Sequence, residues 1–350
     1  MEIVVVIDGG LVETLQASPL LRSLATGLDG VRLTVACPPG AAELAAHVPG
    51  VAEVMAFRAL GPASPRIGEV ARAWRALRRR RFHAAAICST RPVGAALVYF
   101  SGIPVRVGLA TGPSALFLTD RVEREGDEEN RAAAWLRLAP ALGVHHQLHR
   151  AAFEPGAAAR QAAMEHLVGA GFEDGRLMVA LAPGNGFADP LPAVSPRAMT
   201  WEPERHAHLC NQLAHRHGAG IVVLGTVEDR PLVDAMLLDV ESEVLDLCGE
   251  LGGLEEVAAV LERCDLFISG DSPLLHLAAA VGTPSVGLFG PTEGRLRAPY
   301  GAEHRVIQAV PEQNGARHHH APGLIDQPSL RQIRVDDVLA GIEAATLVES

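Results

Sequence analysis

The stretch Ile268-Ser-Gly-Asp-Ser-Pro-Leu-Leu-His-Leu-Ala-Ala-Ala-Val-Gly-Thr-Pro-Ser-Val-Gly-Leu-Phe-Gly-Pro-Thr292 decides how this chain folds. A hydrophobic run ends in Gly270-Asp271-Ser272, and Pro273 follows in a position suited to the first turn of a helix. An apolar helix is expected over 273–281 and a second strand over 285–289, stopping at Phe289-Gly290-Pro291-Thr292. Strand, helix and strand in this order put two loops at the carboxyl edge of a parallel sheet, where open α/β folds bind ligands. The helix start presents free N–H groups and a partial positive charge, which suits a diphosphate, and His276 lies one turn in.

The same grammar extends outward. In the first half, strands are expected over 3–7, 32–36, 53–56 and 84–88, with helices over 18–24, 41–45, 66–81 and from 93. In the second half, strands over 177–182, 220–224, 244–247 and 266–269 alternate with helices over 203–217, 230–239 and 254–262. Such alternation gives parallel sheets covered by helices on both faces. The expected architecture is α/β: two Rossmann-like domains, 1–165 and 166–334, with parallel sheets facing a central cleft. A last helix, 335–350, is expected to pack back on the first domain.

Composition narrows the chemistry. All 30 basic residues among the 350 are Arg, and no Lys occurs. That excludes the Walker A phosphate loop, Schiff-base and pyridoxal enzymes, and Ser-Lys hydrolases. A net charge of −11 disfavours a general nucleic-acid binder. The 5 Cys are scattered without paired spacing, which fits buried thiols in a reduced, cytoplasmic protein. The opening residues lack the marks of a signal peptide, and no apolar run approaches the roughly eighteen residues of a membrane span.

The segment 268–292 resembles the motif of glycosyltransferase family 9, the ADP-heptose heptosyltransferases, written D-(S/T)-G-P-x-H-L-A-A-A-x-G-T-P-x-V-x-L-F-G-P-T. The resemblance extends along nearly the whole chain. Ser18-Pro19-Leu20-Leu21-Arg22-Ser23-Leu24 is similar to the family's T-P-x-x-R-x-L helix, Gly225 with Glu228 to its G-x-x-x-E step, and Pro299-Tyr300-Gly301 to its P-Y-G. This implies the GT-B architecture, with an acceptor-binding first domain and a second domain holding the nucleotide-sugar. Two departures stand out: the glycine after D-(S/T) is Pro273, and the phosphate-binding lysine of K-x-W-P falls on Met199. Arg197, two residues upstream, is either a substitute bringing its guanidinium to the phosphate or a solvated side chain.

Counting back six residues from Pro19, as the family's G-D-x-x-x-T-x-P base requires, gives Glu13, with Val12 in place of the glycine. Asp8 is the second candidate, or else a cap for the Gly9-Gly10 turn. Gly9 and Gly10 are expected to line the acceptor side. On the donor side the expected residues are Gly184, Asn185, Arg197, Glu228, Asp271, Ser272, His276 and Thr292. The expected reaction is an inverting displacement without metal or resident cofactor, the ADP-sugar being a co-substrate and Glu13 the base. The acceptor is expected to be a small-molecule natural-product intermediate. The alternatives are a lipopolysaccharide inner-core heptosyltransferase, with at most peripheral membrane contact, and a catalytically silent nucleotide-sugar-binding protein. His206, His208, Cys210, His215 and His217 fall on several faces of one helix and do not read as a metal site. The His318-His319-His320 run is read as solvent-facing, and the arginines of 72–81 as the wet face of an amphipathic helix.

Overall fold

The computed structural model describes residues 1–89, 91–126, 129–145, 148, 150–172, 175–185, 196–301, 304–310 and 329–346, without the side chains of 196, 197 and 344–346. The chain divides into two units, Met1–Glu154 and Pro155–Ser350.

The first unit runs β1 (Glu2–Ile7), α1 (Leu11–Gly27), β2 (Arg32–Cys37), α2 (Ala42–Ala46), β3 (Val51–Ala56), α3 (Ile67–Arg80), β4 (Ala84–Cys88), α4 (Pro92–Phe100), β5 (Val105–Leu109), β6 (Asp120–Val122) and α5 (Arg131–Leu136). Its strands form one sheet in the order β3-β2-β1-β4-β5-β6, and all its pairings are parallel. The Val/Ile run of β1 lies between two neighbours, Val4 facing Thr34 of β2 and Ala85 of β4 in register, and is buried on both faces. A near-continuous apolar run is what a central parallel strand requires.

Helix α1 starts seven residues before the expected position 18, because Pro19 lies inside it rather than at its first turn. A proline there removes the N–H that would meet the carbonyl four residues back. That carbonyl belongs to Leu15, and the Ser18 hydroxyl donates to it at 2.7 Å instead. Ser18 Oγ also accepts the N–H of Ala152 at 3.1 Å. Nearby, Ser23 Oγ accepts from Leu148 N at 2.8 Å, Arg22 donates to the Arg150 carbonyl, and Glu154 N donates to the His47 carbonyl at 3.0 Å. The end of the first unit is thus stitched to α1 and α2. In α3 the expected amphipathic helix forms: Ala73 and Leu77 are buried while Arg72, Arg75, Arg78 and Arg79 face solvent.

The second unit runs α6 (Ala157–Gly169), β7 (Met178–Ala182), α7 (Pro203–His217), β8 (Gly220–Val223), α8 (Arg230–Leu237), β9 (Val244–Asp246), α9 (Leu254–Glu262), β10 (Leu266–Gly270), α10 (Pro273–Val281), β11 (Ser285–Phe289), α11 (Gly294–Arg297), β12 (His304–Gln308) and α12 (Val335–Thr346). Its sheet order is β12-β11-β10-β7-β8-β9, again all parallel. The join lies at 154/155 rather than the expected 165/166, since α6 packs on α9 of this unit. Arg160 forms a two-bonded pair with Glu262 at 2.6 and 2.8 Å, and Gly156 N donates to Glu255 at 2.7 Å. The last helix, expected to pack back on the first domain, belongs to the second unit. Val338, Leu339 and Ile342 enter the second unit's core, and the Ile333 carbonyl just ahead of the helix accepts the indole N–H of buried Trp201 at 2.8 Å. Among the described residues, no helix is long and apolar enough to cross a membrane.

Candidate active site

In the first sheet the strand order reverses between β1 and β4. Such a switch point opens a crevice at the carboxyl ends of the strands, and the chain following each strand supplies it with a polar group. Asp8 follows β1; its Oδ2 accepts from the Ser89 hydroxyl and from Arg91 N at 3.2 Å, both just after β4. Asp8 therefore ties the two loops together instead of capping the Gly9-Gly10 turn. Burial pushes its carboxyl up from the ordinary range, against the opposing pull of the Ser89 hydrogen bond.

Because α1 begins at Leu11, Glu13 falls in its first turn. Both carboxylate oxygens are engaged: Oε2 accepts from Gly10 N at 2.9 Å, and Oε1 from Arg131 Nη1 at 2.6 Å. Gly9 makes the fold-back possible, since a Cβ there would stand 2.3 Å from Glu13 Cγ. Gly9 and Gly10 thus shape the acid directly. Arg131 opens α5, whose N-cap Asn130 accepts from Ala132 N at 3.0 Å, and its guanidinium lies 5.9 Å over the Trp135 ring. The result is an oriented carboxylate at the edge of the sheet, a quarter exposed.

The second sheet switches between β7 and β10. Gly184-Asn185 follow β7, and Asp271-Ser272 follow β10. A Cβ on Gly184 would fall 1.9 Å from Asp229 Oδ1, so this glycine makes room for an aspartate. Asp229 is buried, accepting from Asn185 N at 3.0 Å and from Thr226 N and Oγ at 2.9 and 3.0 Å. It fastens the β7 loop to the β8 loop. The neighbouring Glu228, expected at the site, is exposed, and the Thr226 hydroxyl holds its carboxyl below the ordinary range.

Asp271 is almost fully buried and accepts from Arg297 Nε at 2.5 Å. Ser272 opens α10 without its side chain capping the helix, its hydroxyl lying 3.2 Å from that of Ser269. His276 is buried one turn in. Gln308, at the end of β12, orders the loop after β11: its Nε2 donates to the carbonyls of Phe289, Gly290 and Thr292 at 3.0, 3.0 and 3.2 Å, and its Oε1 accepts Gly294 N at 2.9 Å. Thr292 Oγ1 and Asn185 Oδ1 are buried without a hydrogen-bond partner among the described residues. Leaving such an atom unpaired costs about 1–3 kcal/mol each, which a polar ligand offsets. The backbone of the 3-10 turn Pro196–Met199 lies against this edge, since a Cβ on Gly290 would come 3.0 Å from the Ala198 carbonyl. The Arg197 side chain, Gly186 and His318 to His320 lie outside the described residues.

The five cysteines are all buried and unpaired. On α7, His206 is buried edge-on to Trp201 with centroids 4.9 Å apart, while His208, His215 and His217 are exposed. Among the described residues no three His, Cys, Asp or Glu side chains gather to hold a metal ion. Sequence reading missed Arg131, Asp229, Arg297 and Gln308. Asn130 marks a helix start and so places Arg131 at its first position, and Thr226 with Asp229 has capping-box spacing, but nothing local points to Asn185 as a partner of Asp229 or to the partners of Arg131, Arg297 and Gln308.

Two doubly wound sheets in tandem, each with polar groups at its switch point, are the GT-B glycosyltransferase fold. Residues 70–322 match the profile of glycosyltransferase family 9 (heptosyltransferase), and the chain belongs to that family. It is accordingly a transferase. Lipopolysaccharide heptosyltransferase 2 of Escherichia coli (strain K12) is 24% identical over 318 residues, covering 89% of this chain and 88% of that protein. A family 9 glycosyltransferase from Veillonella parvula DSM 2008 superposes with a TM-score of 0.81 at 18% identity, covering 100% of this chain and 97% of the other. An E. coli heptosyltransferase solved with ADP-2-deoxy-2-fluoro heptose gives a TM-score of 0.71 at 20% identity, covering 98% and 99%.

Proposed function

We propose that this enzyme transfers heptose from ADP-heptose to a lipopolysaccharide inner-core acceptor, with inversion at the anomeric carbon. One observation carries the reading: the match to a lipopolysaccharide heptosyltransferase spans 89% of this chain, taking in both units. The small-molecule acceptor expected from the sequence gives way to it, because no residue described here favours such an acceptor over the one for which that relative is named.

In this reading Glu13 accepts the proton of the acceptor hydroxyl as its oxygen attacks the anomeric carbon. The bond to the diphosphate breaks, and its electron pair leaves with the nucleotide. The start of α10 stabilises the charge on the departing diphosphate with its N–H groups and dipole. Asn185 and Thr292 offer their unpartnered atoms to the donor, and Glu228 is assigned to the ribose or base as the sequence motif implies. No resident cofactor takes part.

The test is to supply ADP-heptose with heptose-free lipopolysaccharide core and follow both ADP release and the mass of the acceptor. Addition of one heptose, lost in Glu13→Gln, is the expected result. Glycosylation of small-molecule acceptors alone would overturn the reading.

A further inference from the structure

We propose that Arg297 bridges Asp271 and the donor's diphosphate, acting as a donor-binding cation in a chain that has no lysine. The inference rests on the ADP-sugar reading of the second unit's site.

The argument begins with a conflict of charge. Asp271 ends the β10 edge immediately ahead of α10, and its carboxylate is 4% exposed. The helix start favours an anion, yet a diphosphate brought there meets a second anion that water barely screens. Like charges a few ångströms apart in such a site repel strongly. Something must neutralise the acid without occupying the helix start.

Arg297 meets that requirement. Its Nε–H donates to Asp271 Oδ2 at 2.5 Å, pairing the buried charge, while a third of its side chain remains exposed. A guanidinium carries five donors in a planar fork. One edge can therefore serve a carboxylate while other N–H groups serve a phosphate, which a single ammonium cannot match bidentately. The scaffold around it is ordered. Arg297 is the last residue of α11, and that helix starts at Gly294, whose N–H is held by Gln308 and whose Cβ position falls 2.4 Å from Val306. Arg297 is thereby fixed between the Phe289 to Thr292 loop and Asp271, on the edge where two buried polar atoms, Asn185 Oδ1 and Thr292 Oγ1, have no partner among the described residues.

The experiment measures binding of ADP and of adenosine to the full chain by calorimetry, for wild type, Arg297→Met, Arg297→Lys and Arg297→Met with Asp271→Asn. The bridge predicts that R297M weakens ADP at least tenfold and adenosine less than twofold. It also predicts that adding D271N recovers at least threefold of the ADP loss, because the exposed repulsion is removed. R297K keeps Asp271 paired and so remains folded even should R297M not, yet it should weaken ADP at least threefold. Wild-type ADP affinity in R297K or R297M, or equal losses for ADP and adenosine, overturns the bridge while leaving the donor reading intact. Failure of wild type to bind ADP overturns both.

Discussion

Arg131 donates to Oε1 of Glu13 at 2.6 Å across 118 residues of sequence. With Gly10 N on the other oxygen, the pair fixes the carboxylate at two points. As the proposed base, Glu13 should lose its function without the loss spreading to the nucleotide. Glu13→Gln is expected to lower kcat by about two to four orders of magnitude. Arg131→Met, which leaves the acid present but poorly aimed, should lower kcat by about 10- to 100-fold. ADP affinity should stay at the wild-type value in both. Steady-state rates of ADP release beside calorimetric ADP binding measure the split, and a wild-type kcat in E13Q would remove Glu13 from the mechanism.

Gly9→Ala tests the same acid through packing. The new Cβ would sit 2.3 Å from Glu13 Cγ, so the flexible acid gives way rather than the sheet. The expected outcome is a Tm close to wild type with kcat at least about tenfold lower, since small displacements of a reacting group are costly. An unchanged kcat would mean that the fold-back of Glu13 on Gly10 is incidental to turnover.

Gln308→Ala removes one side chain from three carbonyls and the Gly294 N–H at once. Leaving buried groups unpaired should cost about 1–3 kcal/mol, visible as a drop of several degrees in Tm. Because the loop after β11 and α11 both loosen, ADP should bind more weakly as well. A lower Tm with unaltered ADP binding would confine Gln308 to a structural part.

His206 sets a pH dependence of stability. It is buried with neither ring nitrogen partnered, and burial lowers its pKa from 6.5 to about 3. The unfolded chain therefore binds a proton below 6.5 that the folded chain refuses. Stability is full above 6.5 and falls as the pH drops toward 3, by roughly 1.4 kcal/mol per pH unit from this group alone. Denaturant midpoints for wild type and His206→Leu between those limits should diverge in slope, the variant being flatter. Parallel slopes would show that His206 is not the source.

The features legible in the sequence are those that neighbouring residues encode. The strand–proline–helix passage at 266–281 and the strand at 285–289 stand where expected, because Gly270, Pro273, Gly282 and the apolar runs each act locally. The start of α1 is not legible in the sequence, since Pro19 reads as a breaker and the hydroxyl of the preceding serine takes up the carbonyl it leaves open. Asp229 and Glu228 are adjacent acids with opposite fates, and only tertiary structure shows that Gly184 leaves space for the former. Arg131 and Arg297 look like ordinary helical arginines because their meaning lies in acids 118 and 26 residues away. The boundary is hidden for the same reason: the Ala-rich α6 is tied to the second unit through Glu262 and Glu255, about a hundred residues away.

The stitching on either side of that boundary has a mechanical consequence. The Glu154 amide is tethered to His47 in the first unit and the Gly156 amide to Glu255 in the second, so only Glu154 and Pro155 contribute backbone torsions between two anchored N–H groups. A pyrrolidine ring holds φ near −65°, which leaves this joint fewer free torsions than a flexible linker would have. Glu154, as the residue before a proline, is itself biased to extended backbone, so both residues of the joint are restricted.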